Sequence, residues 1–163
     1  GGSISFESSK DKGTIFTILI PAYEGTIEEE SNKTGILSGN GEKILYVDDE
    51  PSIAKLGRRH LESLGYDAYS TTDPEEALEM IKAEPERFDL VISDMAMPNI
   101  PGDQLIVKIL SINPKMPTMI CSGYSSRMSE TKASEMGIKA FVMKPLDKAE
   151  MAKKIREVLD SSS

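Results

Sequence analysis

Apolar residues along this chain recur at two spacings, and the alternation between them divides it into elements. The sharpest run is Leu90-Val91-Ile92, three apolar residues with no polar alternation. Such a run suits a strand buried on both faces of a parallel sheet with helices above and below. It is one of five. From Glu42 onward strand-like and helix-like segments alternate, with strands expected at Lys43 to Val47, Asp67 to Ser70, Leu90 to Ser93, Thr118 to Ser122 and Ala140 to Lys144. A helix opens at Pro51, where a missing N–H is harmless, and Ile53, Leu56, His60, Leu61 and Leu64 approximate one face before Gly65 stops it. Asp73 is a plausible cap for the next helix, with Pro74 in its first position and Glu75 and Glu76 facing the positive end of its dipole; this helix runs to about Ala83. Further helices are expected from Asp103 to about Ile112, from about Ser125 to Met136 with Gly137 ending it, and from Asp147 onward with Met151, Ile155, Val158 and Leu159 at helical spacing. This order predicts an α/β domain around a parallel sheet.

The first 41 residues follow a different pattern. Ser3 to Ser8 and Thr14 to Ile20 read as two strands joined through Lys10-Asp11-Lys12-Gly13. Two strands bury too little to stand alone in water, so residues 1–22 read as the end of something larger. The order Gly1-Gly2-x-Ile4, Ser8, Gly13-Thr14-x-Phe16-Thr17-Ile18 and Ile20-Pro21 resembles the last hairpin of the ATP-binding domain of sensor histidine kinases, with Asp11 where that family usually has a second glycine. Most of a nucleotide site would still be missing, so ATP binding is not assigned to this chain. Residues 23–41 are rich in Glu, Ser, Asn and Gly, too polar to offset their ordering entropy, and are expected to form a flexible linker. The α/β domain is expected at 42–160.

Composition narrows the partners. With 163 residues the chain has room for one ordinary domain plus an appendage. A net charge of -8 argues against binding nucleic acid or anionic lipid through bulk charge, and suits a site that attracts a divalent cation. No apolar segment approaches the roughly 20 residues of a membrane helix, and no signal peptide is evident. Cys121 is the single cysteine; its apolar neighbours point to a buried, inert thiol in a reducing compartment, so a cytoplasmic location is expected. His60 lacks the surroundings of a phosphohistidine and reads as a helix-face residue. The nine methionines are scattered through predicted elements and fit gap-filling core positions.

Candidate chemistry lies at the strand ends. The first strand ends in Asp48-Asp49-Glu50, the third in Asp94, the fourth in Ser122-Gly123 and the fifth in Lys144-Pro145, all at the edge of a parallel sheet where ligands bind. Each has a routine explanation by itself; together they form a constellation. Three carboxylates brought together would repel unless a cation sits among them, and hard oxygen ligands suit Mg²⁺, which shares a phosphate oxygen. A carboxylate beside such a cation can act as nucleophile on phosphorus. The cation, the Lys144 ammonium and the Ser122 hydroxyl could neutralise the transferring oxygens, and Gly123 leaves room for the group.

With Val47-Asp48-Asp49-Glu50, Asp94-x-x-Met97-Pro98, Ser122-Gly123 and Lys144-Pro145 in order, residues 42–160 resemble the receiver domain of two-component response regulators. The resemblance implies a flavodoxin-like, doubly wound five-stranded parallel sheet of order 2-1-3-4-5 with five helices. It implies phosphorylation on Asp94, and Mg²⁺ held by Asp49, Asp94, the carbonyl of Ala96 and, through water, Asp48. Ser122 matches the switch hydroxyl, Lys144 the phosphate-pairing lysine, Phe141 the switching aromatic and Pro145 a proline usually preceded by a cis bond. Ala96 and Tyr124 occupy positions that tune loss of the phosphoryl group. The implied partner is the phosphohistidine of a histidine kinase or histidine phosphotransferase domain, and the implied context is the C-terminal part of a hybrid sensor histidine kinase. The alternatives are a stand-alone receiver with an unrelated N-terminal extension and a haloacid-dehalogenase-type phosphatase. The latter needs an acid where this chain has Ala96. A nucleotide or flavin module is disfavoured because no glycine-rich loop follows the first strand.

Overall fold

The computed structural model describes residues 2–10, 12–22, 38–123, 136–144 and 148–161, and the chain divides into two compact units, Gly1–Asn32 and Lys33–Ser163. In the first unit, β1 (Ser3–Ser9) and β2 (Gly13–Leu19) form an antiparallel hairpin. Gly13 makes its turn possible with φ of 79°, a left-handed conformation that residues with a Cβ rarely adopt. Gly2 runs so close to the partner strand that a Cβ would lie 2.4 Å from the Leu19 carbonyl oxygen. Asp11, which replaces the second glycine of the resembling hairpins, lies outside the described residues.

The second unit is built on five parallel strands, β3 (Lys43–Val47), β4 (Asp67–Thr71), β5 (Leu90–Asp94), β6 (Thr118–Ser122) and β7 (Ala140–Met143). Their order is β4-β3-β5-β6-β7, the expected 2-1-3-4-5 in the order of the chain. The described helices are α1 (Pro51–Ser63), α2 (Pro74–Ala83), α3 (Gly102–Ile112) and α4 (Lys148–Asp160). The helix expected near residues 125–136 falls almost wholly outside the described residues.

Strand alternation separates two cores. Ile44 and Tyr46 join Leu61 of α1, Leu64 at its C-cap and Met151 and Ile155 of α4, while Leu45 and Val47 join Ala77 and Ile81 of α2 and Leu105 and Ile109 of α3. Helices therefore cover both faces, which is why Leu90, Val91 and Ile92 can all be apolar and fully buried. Local signals hold where expected. The Asp73 side chain accepts the Glu75 N–H at 2.8 Å, and Gly65 ends α1 with φ of 88°.

The stripe expected on α1 needs correction. Ala54, Gly57, Leu61 and Leu64 face the sheet, while Ile53 and Leu56 are exposed and His60 is half-buried. The two smallest residues let the helix settle directly onto the ring of Tyr46, turning the larger ones to its flank. Before β3, Gly39 N–H donates to Leu64 O and Gly41 N–H to Gly65 O, so the hydrogen-bonded structure of this unit begins ahead of Glu42.

Candidate functional site

Five strands running the same way deliver their C-terminal ends to one edge, and the pairing register sets which residues meet there. Val47 pairs with Ser93, so Asp48 and Asp94 are the next residues on adjacent strands. Both acids are buried, Asp48 to 1% and Asp94 to 7% exposure. Two ionised carboxylates would not tolerate such burial without compensation. Lys144, just past β7, supplies it: its Nζ lies 2.7 Å from Asp48 Oδ2 and 2.7 Å from Asp94 Oδ1. Burial acts to lower the Lys144 pKa, but the hydrogen bonds to Asp48 and Asp94 outweigh it and hold the ammonium above the ordinary lysine range.

The remaining carboxylate oxygens are also occupied. Asp94 Oδ2 accepts the Ala96 N–H at 2.6 Å, and Asp48 Oδ1 accepts the Glu50 N–H at 3.1 Å. These backbone donors fix the orientation of each acid. The start of α3 presses against the phosphoacceptor candidate from behind, where a Cβ on Gly102 would lie 2.0 Å from the Asp94 carbonyl oxygen. Only glycine fits there. Asn99, in the loop between β5 and α3, takes φ of 64°, a conformation that Asn tolerates better than most residues.

Asp49 behaves differently from the sequence expectation. It is exposed beside the buried pair, and among the described residues no three His, Cys, Asp or Glu side chains are gathered as a metal-holding group. The structure brings together two acids and a lysine rather than three acids. Charge explains the difference: the ammonium can sit between two buried carboxylates, whereas a third would add repulsion. Two carboxylates share one ammonium, a net charge of -1, and Asp49 follows Asp48 directly in the chain at the exposed edge. Carboxylate oxygens at such an edge are the kind of hard donor that a divalent cation takes.

Ser122 ends β6 buried, and its hydroxyl donates to Gly123 O at 3.1 Å rather than to either acid. Phe141 is half-buried and packs on a small core of Ile106, Ile120 and Ile138. Ala96 offers the acid only its N–H, which leaves the position without the general acid that a haloacid-dehalogenase-type enzyme requires. Pro145 and Tyr124 lie outside the described residues. Cys121 is fully buried and burial pushes its thiol up to about 12, in keeping with an inert core residue.

Sequence reasoning missed the surroundings of Lys144. A recess of about 420 Å³ opens beside it, lined by Tyr46, Ile53, Leu56, Gly57, His60 and Met151 as well as Lys144. The signal was present as a tyrosine in an otherwise aliphatic strand and a glycine in mid-helix. A Cβ on Gly57 would lie 2.7 Å from the Tyr46 ring.

A family model described as the response regulator receiver domain matches residues 44–156. The chain belongs to the response regulator receiver family. Among solved structures, this receiver is similar to a receiver domain protein from Clostridium thermocellum, with TM-score 0.70 and 26% identity over 74% of this chain and 95% of that one. It is also similar to a CheY-like receiver domain protein from Methanospirillum hungatei, with TM-score 0.68 and 30% identity over 75% of this chain and 96% of that one. Curated relatives fall into two groups. The transcriptional regulatory protein GlrR of Escherichia coli K12 is 33% identical over 74% of this chain and 27% of its own length. The sensor kinase CckA of Brucella abortus is 28% identical over 98% of this chain and 18% of its own, and the sensor protein EvgS of Escherichia coli K12 is 32% identical over 89% and 12%. This chain thus spans about a quarter or less of the length of these relatives. No helix among the described residues is long and apolar enough to cross a membrane.

Proposed function

We propose that this receiver accepts a phosphoryl group on Asp94 from a phosphohistidine, in a Mg²⁺-dependent reaction, and passes on a conformational signal or the group itself. The carrying observation is that Lys144 spans Asp94 and Asp48 with two 2.7 Å contacts, because the same ammonium can pair with a phosphoryl oxygen once Asp94 is modified. In the reaction an Asp94 oxygen attacks phosphorus and the P–N bond breaks. The histidine leaves with the electron pair, which a proton then takes up. Asp48, Asp49, Asp94 and the Ala96 carbonyl would hold Mg²⁺, with Asp48 acting through water. When bound, the cation would supply positive charge to offset that of the transferring group. The Ala96 N–H orients Asp94, and burial of the pair keeps its field strong. Ser122, one residue beyond Cys121, the register partner of Asp94, would turn its hydroxyl from Gly123 O to the new group, and Phe141 would move inward with it.

The apolar recess beside Lys144 supports a protein donor, since a helix seated there would stand next to the acid. The donor is the phosphohistidine domain of a kinase or phosphotransferase, and the reading places the domain in the cytoplasm. Acetyl phosphate with Mg²⁺ is expected to add one phosphoryl group by intact mass, and chelation is expected to prevent it. Uptake that is indifferent to chelation would overturn the metal assignment.

The hybrid-kinase context is the finer reading. Its support is that the CckA alignment covers 98% of this chain and so takes in the hairpin, while the GlrR alignment covers 74%. Reading the gene upstream of Gly1 tests it: an encoded ATP-binding domain is expected, and an unrelated extension would favour the stand-alone alternative.

A further inference from the structure

The stretch just ahead of β3 is fastened to two other parts of its own unit. Gly39 N–H donates to Leu64 O at 2.7 Å, Gly41 N–H to Gly65 O at 3.1 Å, and Asp67 N–H to Glu42 O at 3.0 Å. These bonds lay residues 39–42 along the turn between α1 and β4. The Glu42 side chain reaches toward α4 instead. One of its oxygens accepts from Arg156, and the other accepts the Asn40 N–H at 2.6 Å, so a single carboxylate closes the stretch on itself and onto the helix. Arg156 also holds Asp160, one turn further along, at 2.5 Å. Tyr66 completes the joint. Its ring is 4% exposed in the core that contains Ile155, Val158 and Leu159 of α4, and a Cβ on Gly39 would lie 2.4 Å from it.

Helix α4 connects this joint with the other edge of the sheet. Arg156 meets Glu42 where β3 begins, whereas Met151 lines the recess beside Lys144, where the strands end. We propose that residues 39–42 are a strap that couples the chain preceding the receiver to α4. Seated, the strap holds the far end of the helix; a pull that lifts it frees Arg156 and loosens α4 back toward the Lys144 recess. The stretch Ser38-Gly39-Asn40-Gly41 brings no apolar side chain of its own, so it can open while the core stays folded. Coupling of this kind is reciprocal: whatever loosens α4 must also loosen the strap. On this proposal the last three residues of the expected linker work as part of the receiver. It goes beyond phosphoryl transfer and does not depend on the assignment of Asp94.

Native-state hydrogen exchange in the 163-residue chain tests it, read by peptide mass over residues 39–42, over 155–160 and, as an internal standard, over 78–83 of α2. Glu42→Gln keeps the size of the side chain and removes its charge. It is expected to speed exchange at 155–160 about fivefold or more, and Arg156→Met to do the same at 39–42, with 78–83 unchanged in both. Gly39→Val, which forces the strap away from Tyr66, should speed 155–160 as Glu42→Gln does, and the double variant should be no faster there than the faster single one. Wild-type exchange at 155–160 in Glu42→Gln, or at 39–42 in Arg156→Met, overturns the proposal. So do effects of Gly39→Val and Glu42→Gln that simply multiply in the double variant, since the two contacts would then act independently. If Gly39→Val also speeds 78–83, it unsettles the whole domain, and Glu42→Gln and Arg156→Met decide the matter.

Discussion

Lys144 and Asp94 meet at 2.7 Å across the end of β6, the strand that separates theirs in the sheet. The contact joins a residue near the end of the chain to the acceptor in its middle, and Asp48 shares the same ammonium. Replacing Lys144 with Met leaves two buried carboxylates without a counter-charge. Loss of one partner of a buried pair costs about 3–5 kcal/mol, and the lysine here is a quarter exposed, so a loss of about 2–3 kcal/mol is expected in urea unfolding of the metal-free protein. Because the folded state holds the Lys144 pKa above that of an unfolded lysine, near 10.4, its contribution is complete below about pH 10 and disappears as pH rises through the folded value. The gap between wild type and Lys144→Met should therefore close in strongly alkaline buffer. A gap that widens there would contradict the ion pair.

Asp48→Asn and Asp49→Asn separate binding from acceptance. Each removes one carboxylate from the proposed ligand set, and each is expected to weaken Mg²⁺ binding about tenfold or more by calorimetry. Saturating Mg²⁺ should restore part of the acetyl phosphate reaction in both variants. Unchanged metal affinity in both would remove them from the ligand set.

Gly57 and Tyr46 form a size-matched pair. A Cβ at 57 would lie 2.7 Å from a ring that is 3% exposed, so the ring has to shift to admit it. Overpacking costs about 1–3 kcal/mol against a helix gain of about 1 kcal/mol, so Gly57→Ala is expected to lose about 1 kcal/mol on balance. Combined with Tyr46→Leu the same change should become neutral or stabilising. A double-mutant cycle in urea measures the coupling.

Arg156 of α4 bonds Glu42 just ahead of β3, and its second nitrogen lies 2.5 Å from Asp160. Burial alone would raise the Glu42 pKa, but the Arg156 hydrogen bond and the Asn40 N–H bring it below its ordinary value. A carboxylate with a lowered folded pKa contributes stability above its unfolded pKa, near 4.3, and loses it as pH falls through the folded value. Arg156→Met is thus expected to cost about 1 kcal/mol near neutral pH and little in acid. Thermal unfolding across pH distinguishes this from a loss of packing, which would persist in acid.

Much of this architecture was written in local patterns. The unbroken run Leu90-Val91-Ile92 required cover on both faces, and Asp73-Pro74 and Gly65 marked helix ends through backbone chemistry that depends on no distant residue. The α1 stripe was misread because the inward positions are Ala54 and Gly57, chosen for closeness to Tyr46 and invisible to a count of large apolar residues. The acids at 48 and 94 were legible as strand-end residues, but their shared lysine bridge depends on a contact 96 positions apart in the chain. Asp49 shows the limit most clearly: adjacent in sequence to a 1% exposed acid, it is itself exposed, because the chain has left β3 at Val47 and emerges from between the helix layers.

Reduction of the acyl phosphate with borohydride, followed by peptide mapping, tests the central claim most directly. After treatment with acetyl phosphate and Mg²⁺, homoserine is expected at position 94 and at no other acid, and Asp94→Asn should give none. Homoserine at 48 or 49, or its persistence in Asp94→Asn protein, would contradict the account.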